Sequence, residues 1–199
     1  MTPSHSISHP DCSTNRAHPA FDGLCAHFRS ALEQACGEAA EAFGARIGAA
    51  LADAAPLIDC LPDTVLRGRD TSYTRHVLAS DPAGRFAAAA LIWRPGQSTP
   101  VHGHHTWCGY RIMRGVLTEE RFEWREAQAR AWRTGLQNRA AGATSFVGAG
   151  FEGIHRLVNY TDEVAISLHV YGVHADAMST RVNQVVERGD PPPPLERAA

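Results

Sequence analysis

The sequence lacks the features that would indicate a highly charged partner or a place in a membrane. It has no excess of basic residues: 19 Lys plus Arg stand against 21 Asp plus Glu, and the formal net charge is −2. Binding to nucleic acid or to an anionic membrane needs a basic face, so we expect neither partner. There is no apolar run of about 20 residues, and residues 1–20 do not combine a basic start with an apolar segment. We expect a soluble, cytoplasmic protein that acts on a small molecule, and the oligomeric state stays open.

Cysteine is also scarce, and its positions exclude two kinds of site. The chain has five cysteines, an odd number, and none belongs to a C-x2-C pair that would indicate a zinc knuckle. Structural disulfides are not expected, because free thiols are the rule in a reducing compartment. The five are Cys12, Cys25, Cys36, Cys60 and Cys108.

Composition divides the first part of the chain into an irregular start and a helical segment. Residues 1–20 are rich in Pro, His and Ser, and we expect them to be irregular. Residues 21–54 carry apolar side chains at helical spacing, which predicts two helices broken near Gly37 that pack one face on a barrel. The apolar positions are Leu24, Phe28, Leu32, Cys36, Ala40, Phe43, Ile47 and Leu51.

Short β-like runs fill the chain from Ser72 onward. Gly, Pro and Asp separate them and no helical crossover intervenes, so an antiparallel barrel or sandwich is predicted and a parallel α/β sheet is disfavoured. We expect a mainly β, single domain over residues 21–187, with its barrel over 66–187 and a flexible Pro-rich tail over 188–199. The predicted strands are Tyr73–Leu78, Phe86–Trp93, Gly109–Met113, Val116–Trp124, Ala143–Val147, Ile154–Asn159, Val164–Tyr171 and Thr180–Val186.

Two histidines two residues apart are the strongest chemical signal. His102 and His104 stand beside a candidate strand, where side chains at i and i+2 share a face, so their imidazoles can bind one metal ion. His155, expected to open a late strand, is the best third ligand, whereas His105 would point to the opposite face. Imidazole binds Zn, Cu, Fe and Ni, so the ligands leave the metal open. Three neutral imidazoles keep the charge on the ion and favour an anionic ligand such as a thiolate.

One glycine pattern suggests a nucleotide, and we reject it. Residues 148–153 read G-x-G-x-x-G, the dinucleotide fingerprint, but that loop must open a helix within a βαβ unit. Here the glycines lead into Ile154-His155-Arg156, which is strand-like, and no acidic ribose partner follows in the right setting.

The glycines around the histidines resemble the two motifs of the cupin barrels. Five residues separate Gly96 from the H-x-H pair, and Cys108 and Gly115 follow, which matches the first cupin motif with cysteine in place of its usual glutamate. The resemblance implies a cupin fold, a small β-barrel or jelly-roll, with the N-terminal helical segment packed on it. A second set that is close to the second cupin motif comprises Gly142, Gly148, Gly150, His155 and Asn159.

Four features together resemble the thiol dioxygenases, specifically bacterial cysteine dioxygenase. The resemblance implies one mononuclear non-haem Fe(II) held by His102, His104 and His155. It also implies that cysteine binds through its thiolate and amine, that O2 takes the remaining position, and that cysteine sulfinic acid is the product. The resemblance runs over about residues 66–172. Its four features are Tyr73-Thr74-Arg75, the H-x-H pair, Cys108 in the position of the cupin glutamate, and Ser167-Leu168-His169-Val170-Tyr171.

Spacing supports the substrate-binding and catalytic roles that this resemblance implies. Tyr73 and Arg75 lie two residues apart, hence on one face of a strand, and the planar guanidinium fits a substrate carboxylate. Ser167, His169 and Tyr171 also alternate along one strand, so they can form a hydrogen-bonded row that points into the barrel. The phenol at its end can donate to bound oxygen or to the substrate.

Cys108 and Gly103 are the two positions at which the sequence is compared with the pattern of the family. In animal-type relatives the cysteine equivalent to Cys108 forms a thioether with the tyrosine that matches Tyr171. The spacing from H-x-H is one residue shorter here, and many bacterial relatives with that spacing have glycine at this position, so the crosslink is left open. Gly103 replaces the aspartate usual between the histidines, and its backbone freedom is expected to loosen the site.

Trp93 and Trp107 are expected to be pocket wall or core.

Three alternatives remain. A related enzyme would act on 3-mercaptopropionate, but the resemblance associates glutamine with that substrate, so Arg75 favours cysteine. Mercaptosuccinate, a dicarboxylate thiol, would need a second cation from Arg94, Arg111 or Arg156. A non-catalytic metal-binding cupin would show no thiol-dependent oxygen uptake, and no DNA-binding helix pair or basic region accompanies the barrel.

Overall fold

The structure, a computed structural model, describes residues 19–34 and 39–189. The irregular start expected over residues 1–20, the break expected near Gly37 and the tail expected over residues 188–199 lie wholly or largely outside the described residues. Within those two ranges, no helix has both the length and the apolar character needed to cross a membrane.

Two helices confirm the predicted helical segment. α1 (Pro19–Gln34) begins with a proline, which the first turn tolerates because its N–H would lack a partner there. α2 (Ala40–Asp53) follows, and a 3-10 turn (Ala55–Cys60) and the one-turn helix α3 (Asp63–Leu66) lead to the first strand. Of the predicted apolar positions, those that are almost completely buried are Leu24, Phe28, Ile47 and Leu51, and Ala40 is exposed.

The remainder of the described chain is mainly β, as predicted. Its strands are β1 (Thr74–Ser80), β2 (Ala87–Trp93), β3 (His102–His104), β4 (Cys108–Arg114), β5 (Val116–Arg125), β6 (Arg130–Ala140), β7 (Thr144–Val147), β8 (Gly150–Val158), β9 (Ala165–Tyr171) and β10 (Asn183–Val185). They form two antiparallel sheets, with the strand orders β1-β2-β9-β4-β7 and β10-β3-β8-β5-β6. Apolar side chains from both sheets meet in one core, which confirms the predicted fold class.

The centre of the first sheet, strands β2 and β9, is buried on both faces, and this places polar side chains inside the barrel. Every residue of β2 and β9 is buried. On the outer face of β9, Leu168 packs in a cluster with Phe28 of α1, because the helices cover this side. Since side chains alternate along a strand, Ser167, His169 and Tyr171 point to the inner face.

The second sheet contains two strands that the sequence patterns missed. β6 is polar and mostly exposed, so it shows no regular apolar alternation. β3 is only three residues long, too short to show a period. β8 begins at Gly150, so His155 lies within the strand and not at its start, because the glycine-rich sequence forms its first residues. That sequence opens a strand, in agreement with the rejection of a nucleotide-binding loop.

Candidate metal centre

Three histidines converge on the inner face of the second sheet. His102 and His104 lie on β3, and His155 lies on β8 directly opposite His102 in the antiparallel pair. The ring centroids form a nearly equilateral triangle with sides of 5.0, 4.8 and 5.0 Å. The potential ligand nitrogens all lie within 4.8 Å of one another, and all three residues are buried. The group predicted from sequence is therefore assembled and could hold a metal ion.

Hydrogen bonds at Nδ1 fix the tautomers of two of these histidines. His102 Nδ1 lies 2.9 Å from the carbonyl oxygen of Pro100, and His155 Nδ1 lies 2.9 Å from Oε1 of Glu119. A carbonyl and a carboxylate can only accept, so each Nδ1 donates and each Nε2 keeps its lone pair for a metal. The buried Nδ1 of His104 has no hydrogen-bond partner within residues 19–34 and 39–189.

Burial keeps the two β3 imidazoles in the form that binds metals. It lowers the pKa of His102 well below its usual value, and the nearby His155 and His104 lower it further. Burial, and next the nearby imidazole of His155, likewise lower the pKa of His104 to about 3. Both rings are therefore neutral near pH 7, as a metal ligand must be.

Glu119 is a buried carboxylate beside the triad that sequence reasoning missed. Oε1 accepts from His155 and, at 3.0 Å, from the hydroxyl of Tyr110, while Oε2 accepts from Nη2 of Arg139 at 2.6 Å. Burial alone would raise the pKa of Glu119, but the hydrogen bond from His155 and the hydrogen bonds and charge of Arg139 hold it well below its usual value. No sequence pattern within β5 could have identified it, because the next residue, Glu120, is also a glutamate and points to the other face of the sheet.

Arg75 lies on β1 and brings a buried cation to a small cavity that the three histidines also line. Its Nη1 donates to the carbonyl oxygen of Met178 at 3.0 Å, and its guanidinium carbon lies 5.6 Å from the ring centroid of Tyr171. Its Nε is buried and has no hydrogen-bond partner within the described ranges. The guanidinium thus retains donor capacity beside the triad, which is what a carboxylate-bearing ligand would require.

Tyr73 occupies a different place from Arg75. It immediately precedes β1, is buried, and stacks on Trp93 with ring centroids 4.5 Å apart. Arg75 lines the cavity beside the histidines, whereas Tyr73 lines a neighbouring surface groove of about 530 Å³. Arg75 therefore lies beside the triad, and Tyr73 packs in the buried core cluster that also contains Cys108 and Tyr171. Substrate binding by either residue stays a prediction.

The predicted polar row on β9 is formed, and Trp93 extends it. Trp93 Nε1 donates to Ser167 Oγ at 2.8 Å, and Ser167 Oγ lies 2.9 Å from His169 Nε2. The row continues from His169 Nδ1 to the hydroxyl of Tyr171 at 3.1 Å. Trp93 is therefore more than the pocket wall or core expected from sequence, because its indole N–H is the first donor of the row.

The row has a direction that leaves the phenol proton free. Burial lowers the pKa of His169 well below its usual value, and the Arg75 charge lowers it further, so the imidazole is neutral and carries one N–H. Ser167 is fully buried, and its hydroxyl proton finds an acceptor in Nε2 of His169. Nδ1 then donates to the oxygen of Tyr171, whose own O–H is free to point into the cavity. Burial raises the pKa of Tyr171, so that proton is retained near pH 7.

Cys108 lies beside Tyr171 and is separate from the metal ligands. The antiparallel register of β4 and β9 places the two residues directly opposite each other, where Cβ atoms of paired strands are about 4.5–5.5 Å apart. Both line the cavity. Burial raises the pKa of the Cys108 thiol, and the thiol does not belong to the group of side chains whose ligand atoms converge.

The cavity that joins these groups is small and carries a single cation among the residues described. Its volume is about 10 Å³, close to the least that holds one water molecule. Besides the groups above it is lined by Asn183, which comes from β10 opposite His104 and which sequence reasoning missed. The three arginines considered as a second cation have other partners, so they do not supply it: Arg94 pairs with Asp70, Arg111 bonds to Gly142, and Arg156 bonds to Ser98.

Expectations about two residues next to the β3 histidines, Gly103 within the strand and His105 just after it, had different outcomes. His105 is exposed, in line with its predicted orientation away from the metal ligands. The expectation that Gly103 loosens the site is wrong: its φ is not positive, and a Cβ there would lie 2.5 Å from the carbonyl oxygen of Gly150 and 2.7 Å from the ring of Phe151. Glycine is required because β3 and β8 approach closely, which leaves no space for aspartate.

Comparisons with known proteins place this arrangement in context. The family model described as cysteine dioxygenase type I matches residues 69–180, more than half of the chain. A solved structure of the protein TT1209 from Thermus thermophilus is 19% identical with a TM-score of 0.44, and the alignment covers 56% of this chain and 92% of that one. A cupin 2 conserved barrel domain protein from Salinispora arenicola is 22% identical with a TM-score of 0.42, covering 56% and 83% respectively.

Proposed function

The chain belongs to the cysteine dioxygenase type I family, and from that premise we propose that it is an Fe(II)-dependent thiol dioxygenase that oxidises L-cysteine with O2 to cysteine sulfinic acid. Family and fold support a thiol dioxygenase-like or cupin metal enzyme. The observation that carries the finer proposal is that three buried imidazoles and the buried guanidinium of Arg75 share one cavity.

The metal would be held by His102, His104 and His155. Their chemistry fits a divalent ion, since two of the three rings present a free Nε2 and none is replaced by a carboxylate. When bound, iron would bring the thiol and O2 together and allow sulfur to give up four electrons to oxygen. Both oxygen atoms end on sulfur, so no external reductant is required.

Arg75 binds the substrate carboxylate in this proposal. A carboxylate can accept from the buried Nε and from another N–H of the same planar group, each a charge-assisted bond of about 1.5–3 kcal/mol. This would fix the orientation of the substrate relative to the triad. A substrate larger than one water molecule must displace a lining side chain, given the size of the cavity.

Tyr171 donates a hydrogen bond to the substrate or to oxygen. The direction of the row supports this role, because Trp93, Ser167 and His169 satisfy the phenol oxygen from behind and leave its proton free. The raised pKa of Tyr171 retains that proton. We also propose that Cys108 can form a thioether with the Tyr171 ring, since their strands hold them opposite each other. A C–S bond would replace the S–H bond and one ring C–H bond, and O2, the oxidant of the proposed reaction, would take up the two electrons and two protons.

The single cation favours a monocarboxylate thiol over mercaptosuccinate. Cysteine and 3-mercaptopropionate each need one guanidinium, whereas a second carboxylate would find no second arginine among the described residues lining the cavity. 3-Mercaptopropionate thus remains the main alternative substrate. We place the reaction in the cytoplasm, because the described cysteines Cys25, Cys60 and Cys108 are free thiols.

Oxygen uptake tests the proposal directly. Protein reconstituted with Fe(II) without oxygen is mixed with L-cysteine, 3-mercaptopropionate or mercaptosuccinate, and uptake and products are measured. We expect L-cysteine to be consumed with one O2 for each sulfinate formed, and His155→Ala to lose both iron and activity. Full activity in that variant, or no uptake with any thiol, would refute the assignment; the latter would favour a non-catalytic metal-binding cupin.

A further inference from the structure

A carboxylate lies directly behind one metal ligand and not behind the other two. Glu119 Oε1 lies 2.9 Å from His155 Nδ1, and both side chains are about 95% buried or more. His102 instead donates to a neutral backbone carbonyl, and His104 Nδ1 has no partner within the described ranges. The triad is therefore asymmetric in the groups that support it.

Glu119 is itself held rigidly. Tyr110 donates to Oε1 at 3.0 Å, and Arg139 donates to Oε2 from Nη2 at 2.6 Å and from Nε at 3.1 Å. Arg121 adds a longer contact at 3.3 Å. A carboxylate with partners at both oxygens cannot rotate without breaking hydrogen bonds in a buried region, which is costly. The orientation of the carboxylate, and with it that of the His155 ring, is thus fixed by the protein before any metal binds.

We propose that Glu119 is a positioning residue for the metal centre. It holds His155 in the tautomer and ring orientation that present Nε2 to the ion, and its negative charge makes Nε2 a stronger electron-pair donor to that ion. This inference rests on the metal site of the proposed function. The usual cupin glutamate is absent from β4, where Cys108 stands, and β5, the next strand along the chain, supplies a carboxylate that accepts a hydrogen bond from a proposed metal ligand. Such partners contribute typically about 10–100-fold to metal affinity.

Glu119→Gln is the informative substitution, because it keeps the shape and removes one acceptor. If the amide oxygen faces His155, the amide NH2 faces the N–H groups of Arg139. If the amide is reversed, its NH2 faces the N–H of His155. Either orientation sets donor against donor, and the second one also favours the wrong tautomer of the ring.

The chain offers a matched control at the next position. Glu120 is also almost fully buried, accepts from the hydroxyl of Tyr160 at 2.8 Å and pairs with Arg156 at 3.6 Å. Because side chains alternate along β5, it points to the opposite face, away from the triad. Glu120→Gln therefore makes the same chemical change to a buried carboxylate on the same strand without touching the metal ligands.

The experiment measures metal binding and not turnover. Metal-free wild type, Glu119→Gln and Glu120→Gln are titrated with Co(II) without oxygen against a competing chelator, and the visible spectrum of the bound ion is recorded. We expect Glu119→Gln to bind about 10–100-fold more weakly with an altered spectrum, and Glu120→Gln to match wild type. Glu119→Asp, which keeps the charge but draws it back from the imidazole, should lie between, and it serves if the Gln variant does not fold.

Each result bears on one claim. If wild type binds Co(II) and Glu119→Gln binds equally well with the same spectrum, the inference is wrong and the metal site stands. If both Gln variants weaken binding equally, Glu119 acts only through the general stability of β5, and the inference is again wrong. If wild type itself binds no metal, the proposed function fails.

Discussion

Replacing Arg75 by alanine should convert the protein from one that selects carboxylate-bearing thiols to one that does not. The guanidinium lines the cavity beside the triad, Nη1 is committed to the carbonyl oxygen of Met178, and the buried Nε has no partner within the described ranges. Nε and one further N–H can therefore form a two-point bond to a carboxylate. Alanine removes both donors and the charge.

The magnitude follows from these two bonds. At about 1.5 kcal/mol each, the lower end for hydrogen bonds to charged groups, they amount to about 3 kcal/mol. Since about 1.4 kcal/mol corresponds to a factor of ten, kcat/KM for L-cysteine should fall by roughly 150-fold. Cysteamine carries the thiol and the amine but no carboxylate, so its kcat/KM should change by less than about tenfold.

The assay is the ratio of kcat/KM for L-cysteine to that for cysteamine, from initial oxygen uptake, in wild type and Arg75→Ala. A ratio within one variant cancels losses of iron or folded protein, which matters because Arg75 also bonds to Met178 and lies over the Tyr171 ring. Arg75→Gln keeps neutral N–H donors and should lie between. An equal loss on both substrates would show that Arg75 supports the structure and does not recognise the carboxylate.

Three further predictions concern other parts of the molecule. If Cys108 and Tyr171 form the thioether, the intact mass after turnover falls by two hydrogen atoms, and a Cys108→Ser variant shows no such loss; an unmodified wild-type mass after many turnovers contradicts the crosslink. Gly103→Ala drives a Cβ into a backbone oxygen and should lower the free energy of unfolding of the apoprotein by about 1–3 kcal/mol in denaturant. Gly135→Ala, whose Cβ would meet nothing within 4 Å, should not. If the two variants were equally stable, close packing would not be the reason for glycine at position 103. A hydrogen bond from Arg85 lowers the pKa of Asp81 from 3.8 to about 2, so the contribution of this ion pair to stability is complete above about pH 4 and is lost as the pH falls toward 2. Asp81→Asn should therefore flatten the pH dependence of apoprotein stability in that range, and an unchanged slope would contradict this.

The sequence was informative wherever a local period decided the structure. A strand alternates with a period of two, so His102 and His104 had to share a face, as did Ser167, His169 and Tyr171, once those segments were strands. Helical spacing likewise identified four buried positions of α1 and α2, although it also marked Ala40, which is exposed. Each of these inferences needs only neighbouring residues.

Local patterns failed where the polar and apolar residues did not alternate. β6 faces solvent along most of its length and therefore reads as a loop. Gly103 illustrates a related failure. A glycine suggested backbone flexibility, but what excludes a side chain at this position is the close approach of Gly150 on β8, more than forty positions away in the chain. Close approach of two backbones depends on sheet pairing, and no window of sequence contains it.

The sequence by itself determined which residue types could bind a metal and a carboxylate, and which of them shared a strand face. Only the tertiary structure decided how the strands pair, because register is set by packing of the whole barrel. Register places His155 opposite His102 and Cys108 opposite Tyr171. It also directs Glu119 toward the three histidines, while Glu120, also a glutamate and one position away, is buried on the opposite face of the sheet.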